Sequence, residues 1–303
     1  MTQAFISGIT GFIGRPLAHA LVRSGYTVSG LARTGGRLEG CSVIAGDILR
    51  PDGYGEAARA AEVVVHLAAP TVASYIASHP LETMVVNVAG VLNMLDLFAG
   101  GAGRHFVLLS SGKVYGGRAP LPFREDQPLE PAGPLGQAKA AAEEMVRFFA
   151  RNTGKRFTIL RLFNGYGPGQ NGDFLIPTIL RQLEGGSITL GDTAGKRDFI
   201  YLDDIVSGIT TVLAQEAAQM NPGVYNLGSG RSYSPADLVR LLEEIAGRKL
   251  RIVTDPARLR AGEPDEERAD ISRLRALGWQ PATDIGAGLA KTWRAFLNAA
   301  RTT

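Results

Sequence analysis

A glycine-rich segment near the amino terminus has the residue types and spacing that bind phosphate. Residues 8–14 read GITGFIG and lie between an apolar run at residues 4–6 and a helical pattern over residues 15–22. In the order strand, glycine turn and helix, the glycines allow a sharp turn and a close approach of the backbone to a pyrophosphate. The free N–H groups of the first helical turn then face the anion. We therefore predict that this segment binds a dinucleotide. The residues that would form the site are Gly8, Thr10, Gly11, Phe12, Ile13 and Gly14.

Strand and helix patterns alternate along the part of the chain that must position this loop. The run at residues 62–67 is mainly apolar, as expected of a strand buried on both faces of a sheet. Repeated strand–helix units predict an α/β fold with a doubly wound parallel sheet of the Rossmann type. Further strands are predicted at residues 26–31, 42–45, 104–109 and 157–161, and long helices at residues 81–98 and 136–151.

The second half of the chain has a different pattern. From about residue 163 glycine and proline become more frequent and the alternation becomes irregular. We expect a dinucleotide-binding domain over residues 1–165, to which residues 197–226 return, and a smaller C-terminal α/β domain mainly over residues 166–303. Ligands of parallel sheets bind at the carboxyl ends of the strands, so the smaller domain is expected to hold the substrate there.

The composition limits the class of protein. The 303 residues are 45% hydrophobic and 20% charged, and the net charge of +3 is spread without a basic run, so no nucleic-acid partner is expected. Cys41 is the single cysteine, which excludes an internal disulfide. No leader and no continuous apolar run of about 18 residues are evident, so a cytoplasmic protein without a membrane partner is expected. The chain has no CxxC or HExxH pattern, and no metal site is expected.

Short motifs follow one another in a fixed order along nearly the whole chain. In the first half they are TGFIG at residues 10–14, GDI at 46–48, VHLAAP at 65–70, NVAGVLNML at 87–95 and LLSSGKVYG at 108–116. The second half adds LRLFNGYGPGQ at residues 160–170, RDFIYLDDI at 197–205, YNLGSG at 225–230 and RAGEPDEERADISRLRALGW at 260–279. In this order they resemble the extended short-chain dehydrogenase/reductase family, and within it the NAD(P)-dependent nucleotide-sugar epimerases, dehydratases and ketoreductases.

The resemblance implies cofactor contacts beyond the glycine loop. Asp47 would accept a hydrogen bond from the adenine amino group, and Ile48 would pack on the adenine ring. Ala68 and Ala69 would leave room for the pyrophosphate and the nicotinamide ribose. The alternative is that Asp47 only caps a loop and that the alanines only pack tightly. The remaining cofactor residues implied in this way are Leu67, Asn87, Ser110 and Lys139.

The end of the second strand indicates which dinucleotide is bound. An acidic residue usually stands there and binds the adenosine ribose hydroxyls. Here that position is Ala32, followed by Arg33. Without a carboxylate to repel a 2′-phosphate, and with an arginine to pair with it, NADP is favoured over NAD. Alternatively, Arg33 stacks on adenine or faces solvent.

The resemblance also implies a serine, and a tyrosine and a lysine four residues apart on one helix face. The lysine charge lowers the tyrosine pKa, so that the phenol can exchange a proton with a sugar hydroxyl. Ser111 and Lys139 fit the serine and the lysine, but Leu135 stands at the tyrosine position. Leucine cannot exchange a proton, and the loss of a positioned acid or base typically costs about 10²–10⁴-fold in rate.

Two residues near Ser111 are candidates for the missing proton donor, Lys113 and Tyr115. Related 4,6-dehydratases carry an Asp-Glu pair where this chain has Gly112 and Lys113, so dehydration is not expected. Lys113 would point toward the sugar, as a proton donor or as a contact for a sugar carboxylate; the alternative is a solvated lysine. Tyr115 is more often a packing residue in such a turn.

The second half carries the implied substrate contacts. Asn164, Arg197 and Arg260 resemble the positions that hold a nucleotide diphosphate, to which arginine gives charge-assisted hydrogen bonds. A surface ion pair is the alternative for Arg197. The resemblance also implies a homodimer joined through the two long helices at residues 81–98 and 136–151.

Three functions remain open at this point. The first is a nucleotide-sugar epimerase or 4-ketoreductase that transfers hydride between sugar carbon 4 and the nicotinamide, with an atypical proton donor. The second is a catalytically impaired or non-catalytic binder of dinucleotide and nucleotide sugar, which Leu135 suggests. The third is an epimerase or lyase that abstracts a C–H proton from a keto-sugar, with Lys113 or a histidine as the base.

Overall fold

The computed structural model describes residues 1–215, 222–258 and 264–300. The strands are β1 (Gln3–Ser7), β2 (Thr27–Ala32), β3 (Cys41–Ala45), β4 (Val63–His66), β5 (His105–Ser111), β6 (Arg156–Leu162), β7 (Asn164–Tyr166), β8 (Ser187–Leu190), β9 (Lys196–Tyr201), β10 (Gly223–Leu227), β11 (Ser232–Tyr233), β12 (Arg251–Thr254) and β13 (Glu266–Glu267). The helices are α1 (Gly14–Arg23), α2 (Gly55–Ala60), α3 (Ala73–Ser78), α4 (Pro80–Ala99), α5 (Gly133–Thr153), α6 (Leu175–Gln182), α7 (Leu202–Ala214), α8 (Pro235–Ala246), α9 (Ser272–Arg275) and α10 (Ile285–Ala300). Short 3-10 helices cover Pro51–Gly53, Gly112–Tyr115, Leu183–Gly185 and Pro256–Arg258.

A seven-stranded sheet, in the order β10-β6-β5-β4-β1-β2-β3, carries the glycine loop after β1. All neighbouring strands in it are parallel. The predicted doubly wound parallel sheet is therefore confirmed. The strands and long helices predicted from the sequence correspond to observed elements, with ends that differ by a few residues at most.

Both faces of the large sheet are covered because its strands are apolar on both sides. In β4, Val63 and Val65 enter one core, whereas Val64 enters the other. Helices α1 and α7 cover the first face, and α4 and α5 cover the second. This burial fixes the carboxyl ends of β1, β4 and β5 at one edge of the sheet.

The rest of the chain forms smaller sheets over that edge. Strand β9 lies between β11 and β13 and also pairs with β7, and β8 pairs with β12. A third apolar core, with Ile176, Ile188 and Leu238, holds these strands to α6, α8 and α10. Strand β9 leads directly into α7, which packs on α1, so the small sheet is tied to the large one.

Two features bear on the class of protein. Within the described ranges, α4 alone has the length and mean hydropathy (1.4) of a helix that could cross a membrane, a test that core helices also pass. Here Val91, Met94 and Phe98 of α4 lie in the core against the sheet. Over the same described ranges, the structure contains no cluster of three or more metal-binding side chains.

Candidate active site

The glycine loop closes so tightly after β1 that side chains would not fit. Gly8 has a φ of +77°, and a Cβ on it would lie 3.2 Å from the backbone nitrogen of Ala68. A Cβ on Gly14 would collide with the carbonyl oxygen of Gly8, which accepts a hydrogen bond from the Gly11 nitrogen at 2.9 Å. No side chain of the described residues caps α1, and its first turn contains no acidic residue. The loop therefore offers backbone N–H groups to an anion.

A serine at the end of β1 fixes the end of β4 and the tautomer of a buried histidine. The Ser7 hydroxyl accepts hydrogen bonds from the backbone nitrogens of Leu67 and Ala68, both at 3.1 Å. Both lone pairs are then used, so its proton is donated to Nδ1 of His66, 3.0 Å away. His66 consequently carries its own proton on Nε2. Burial, with a smaller contribution from the Lys139 charge, lowers the pKa of His66 to about 3, so the ring is neutral.

Two buried polar atoms at this edge have no partner within the described part of the chain. They are Nε2 of His66 and Oδ1 of Asn87, a residue whose Nδ2 donates to the Thr83 carbonyl at 2.9 Å. Buried donors and acceptors in native proteins are nearly always paired, with protein, water or ligand. Together with the glycine cradle, these atoms indicate that the residues present fit a dinucleotide.

Lys139 meets the end of β5 from the second turn of α5. Its side chain is buried, and Nζ donates to the carbonyl oxygen of Leu109 at 3.0 Å, two residues before Ser111. Burial lowers the pKa of Lys139 to about 8, against the opposing effect of the Glu143 carboxylate. Leu135 lies one helical turn before Lys139 and is half-buried, so the helix places a side chain where the sequence predicts it but supplies no hydroxyl.

Lys113 follows Ser111 on a 3-10 turn and is joined to the small sheet. Its backbone nitrogen donates to the Ser111 hydroxyl at 3.2 Å, and its Nζ donates to Oε1 of Glu267 at 2.8 Å. Oε2 of Glu267 lies 3.6 Å from Nε of Arg197. Lys113 is therefore not the solvated lysine of the alternative interpretation. Arg197 also donates to the Pro264 carbonyl at 3.0 Å, so it lies in the interface between the sheets and not in a surface ion pair.

The Tyr115 hydroxyl is bonded inside the protein. Its side chain is buried; the hydroxyl donates to Oδ1 of Asn226 at 2.7 Å and accepts from Nη1 of Arg161 at 2.9 Å. Burial, which outweighs the opposing effect of Arg161, raises its pKa to about 12. Burial and these two bonds favour the packing role for Tyr115 and leave Lys113 as the more accessible of the two candidates.

Two side chains that are expected to contact the cofactor, those of Ser110 and Ile48, point into the protein core instead. Side chains alternate along β5, and Ser110 points inward, where its hydroxyl donates to Oε1 of Glu143 at 2.7 Å. Ile48 is buried in the core beside Gly90 of α4, so most of the surface expected to cover adenine is already packed. Asp47 is exposed and accepts from the Leu49 nitrogen at 3.0 Å, which is the loop-capping alternative.

The remaining predicted residues occupy positions around the same edge. Arg33 is exposed and directly follows the buried Ala32 at the end of β2. Asn164 on β7 donates to the carbonyl of Asp198 at 3.1 Å. Arg260 lies outside the described residues. Thr10, Phe12, Ile13, Leu67, Ala68 and Ala69 are half-buried around the glycine loop and the loop after β4.

The chain belongs to the NAD dependent epimerase/dehydratase family, whose sequence profile matches residues 4–228. It is 33% identical over 298 residues to GDP-6-deoxy-D-mannose reductase of Pseudomonas aeruginosa, covering 94% of each chain. Its fold matches UDP-glucuronic acid 4-epimerase of Bacillus cereus, solved with UDP-glucuronic acid and NAD, with a TM-score of 0.90 and 26% identity. The match covers 98% of this chain and 100% of the epimerase chain. UDP-glucose 4-epimerase of Thermotoga maritima, solved with UDP-glucose, matches with a TM-score of 0.89 and 27% identity. The match covers 99% of this chain and 100% of the epimerase chain. Its relatives are thus enzymes that act on nucleotide sugars.

Proposed function

We propose that this chain is an NAD(P)-dependent enzyme that reduces or epimerises a nucleotide sugar at carbon 4. One observation carries the proposal: the buried Lys139 ammonium is bonded to the Leu109 carbonyl at the end of β5, next to the strand end where His66 is bonded to Ser7, directly before the glycine loop. A cofactor cradle and a buried cation beside Ser111 are the parts that such a reaction needs.

The residues of the chain have separate roles in this proposal. The glycine loop binds the pyrophosphate, and Lys139 holds the ribose hydroxyls of the nicotinamide half. The bound dinucleotide supplies or accepts the hydride. Ser111 donates a hydrogen bond to the oxygen on carbon 4, and Lys113 gives or takes the proton in place of the missing phenol. Asn164 and Arg197 hold the nucleotide diphosphate.

Reduction is the form of the reaction that we favour. The reductase of Pseudomonas aeruginosa is 33% identical to this chain and supports reduction, whereas the two epimerases, at 26% and 27% identity, support the second form. Incubation with nucleotide sugars and their 4-keto forms, with NADPH and NADH in heavy water, followed by NMR, tests both. A new sugar without solvent deuterium supports hydride transfer, and deuterium at a sugar carbon supports proton abstraction. Ligand binding without any product supports the non-catalytic binder that Leu135 suggests.

Proton abstraction by a histidine is disfavoured by the positions of the buried rings. His66 is enclosed at the end of β4, and His105 donates to or accepts from the Thr158 hydroxyl at 2.8 Å inside the sheet. Burial lowers the pKa of His105 to about 3, as it does for His66. Neither of these two rings suits the role, and Lys113, which follows Ser111, is the base that we favour for this alternative.

We propose NADP as the cofactor because Ala32 stands where a carboxylate would repel a 2′-phosphate, and Arg33 after it can pair with that phosphate, although a solved relative holds NAD. A charge-assisted hydrogen bond contributes about 1.5–3 kcal/mol. We therefore expect Arg33→Ala to raise the Kd of NADPH about tenfold or more and to change that of NADH less than about twofold, measured by fluorescence titration. Arg23→Ala, at the far end of α1, is the control. Equal effects on both dinucleotides would favour NAD.

We also propose a homodimer formed by α4 and α5. These helices pack side by side and expose apolar side chains, among them Leu81 (80% exposed) and Phe148 (54% exposed). Exposed apolar patches of this kind mark interfaces. Phe148→Glu is expected to convert the dimer to a monomer in sedimentation velocity, because a charge would be buried in the interface. Val253→Glu, on the exposed β12, should leave the dimer intact. A wild-type monomer at micromolar concentration would contradict the proposal.

A further inference from the structure

A buried carboxylate lies between two cations where the two sheets meet. The Glu267 side chain is only 6% exposed and has Lys113 Nζ at 2.8 Å and Arg197 Nε at 3.6 Å. Lys113 comes from the turn after β5 of the large sheet, and Arg197 comes from β9, directly opposite Glu267 in the register of β9 and β13. Glu267 is therefore held from both sides.

The backbone that carries these groups is fixed. A Cβ on Gly136 of α5 would come within 2.7 Å of the Lys113 carbonyl oxygen, so the turn lies against the helix. On the other side, Phe123 donates to the Arg268 carbonyl and accepts from the Asp270 nitrogen, both at 2.8 Å. These contacts fix the backbone on both sides of the pair, so only a change of side-chain rotamer could separate Glu267 from Lys113.

A ligand beside Ser111 meets the Lys113–Glu267 pair and not a free ammonium. The ligands of such sheets lie at the carboxyl ends of the strands, and Lys113 is two residues beyond the end of β5. The Lys113 side chain is 35% exposed, so its ammonium is accessible on one side. A hydroxyl can accept from Lys113 or donate to Glu267 while the pair stays intact.

A carboxylate in the same place would meet an ammonium whose charge Glu267 already balances. If it displaced Glu267 from Lys113, it would leave a buried charge without its nearest partner. It would also place two carboxylates next to each other, and like charges brought together across an interface oppose binding. The pair therefore opposes an anionic substituent while accepting a neutral one.

We propose that Glu267 makes this site selective for nucleotide sugars with an uncharged hexose and excludes those whose hexose carries a carboxylate. This inference rests on the proposed function. It is the opposite of one role that the sequence suggests for Lys113, which is to bind a carboxylate on the sugar. The family alone does not decide the matter, since its members include both a UDP-glucuronic acid 4-epimerase and a UDP-glucose 4-epimerase.

Calorimetric titration of the dinucleotide-loaded protein with matched pairs tests the inference: UDP-glucose against UDP-glucuronate, and GDP-mannose against GDP-mannuronate. For the pair whose nucleotide binds, the wild type should bind the neutral sugar at least about tenfold tighter. Glu267→Gln should tighten binding of the uronate at least about tenfold and bring the ratio to one or below, because Lys113 becomes available to it. Glu266→Gln is the matched control, since Glu266 pairs with Arg268 at 3.1 Å instead, and should leave the ratio unchanged.

A second variant covers the case in which Glu267→Gln does not fold. Lys113→Met removes the cation and should leave the uronate the weaker ligand. Equal or tighter binding of the uronate by the wild type, or an unchanged ratio in folded Glu267→Gln, overturns the inference while the proposed function stands. Failure of every nucleotide sugar to bind the wild type overturns the proposed function as well.

Discussion

Leu135→Tyr is expected to raise kcat at least about 100-fold on the sugar that the enzyme converts. Leu135 lies one helical turn before Lys139 on α5, so a phenol there would share the helix face of the ammonium. Lys139 is already held at the end of β5 by the Leu109 carbonyl and needs no rearrangement. Its charge would lower the pKa of the new phenol and make proton transfer at neutral pH efficient. Steady-state rates with the substrate found by NMR measure the effect.

Leu135→Phe is the control that distinguishes the effect of the hydroxyl on the rate from the effect of the size of the ring. It supplies the same aromatic volume without a proton and should turn over no faster than the wild type. If the tyrosine and phenylalanine variants have equal rates, position 135 is not where the proton is exchanged. Such a result would favour Lys113 as the donor in the native protein, or the non-catalytic binder if no variant turns over.

The parts of the fold that local sequence dictates are the parts that could be predicted. The apolar run ending in β4 and the glycine turn after β1 follow from residue type and spacing within a few positions, and the structure has both. The position of Lys139 on one face with Leu135 follows from helical periodicity alone. These features need no knowledge of distant contacts.

The roles of Tyr115 and Lys113 depend on partners that are far away in the sequence. The Tyr115 hydroxyl bonds Asn226, which is 111 residues later, and Lys113 pairs with Glu267, which is 154 residues later. No local pattern couples such residues. Glu267 was missed although it lies in an unusually acidic stretch, PDEE at residues 264–267, which was a usable signal. His66 offered another, as a polar residue inside an apolar strand.

The role of Glu143 could not be predicted from the sequence either, although Glu143 lies four residues after Lys139 on the same helix face. Its carboxylate accepts two hydrogen bonds from Arg161, from Nε at 3.0 Å and from Nη2 at 2.8 Å. It also accepts from the Ser110 hydroxyl and, at 3.0 Å, from Nη2 of Arg147. The Arg161 side chain is 1% exposed and also lies over the Tyr115 ring, with the guanidinium carbon 4.8 Å from the ring centroid. This ion pair ties α5 to β6 and β5 directly beneath Ser111.

Arg161→Met is therefore expected to destabilise the protein by about 3 kcal/mol, the low end for a broken buried pair, because the buried Glu143 charge keeps only its pair with Arg147. Urea denaturation followed by circular dichroism measures the loss. Arg240→Met is the matched control, since its pair with Asp237 lies on the surface and should cost less than about 1 kcal/mol.

The double variant Arg161→Met with Glu143→Leu distinguishes a buried charge from lost packing. It removes both charges, so it should be more stable than Arg161→Met alone if the uncompensated carboxylate causes the loss. A double variant that is less stable than either single one would mean that the two side chains act mainly through packing.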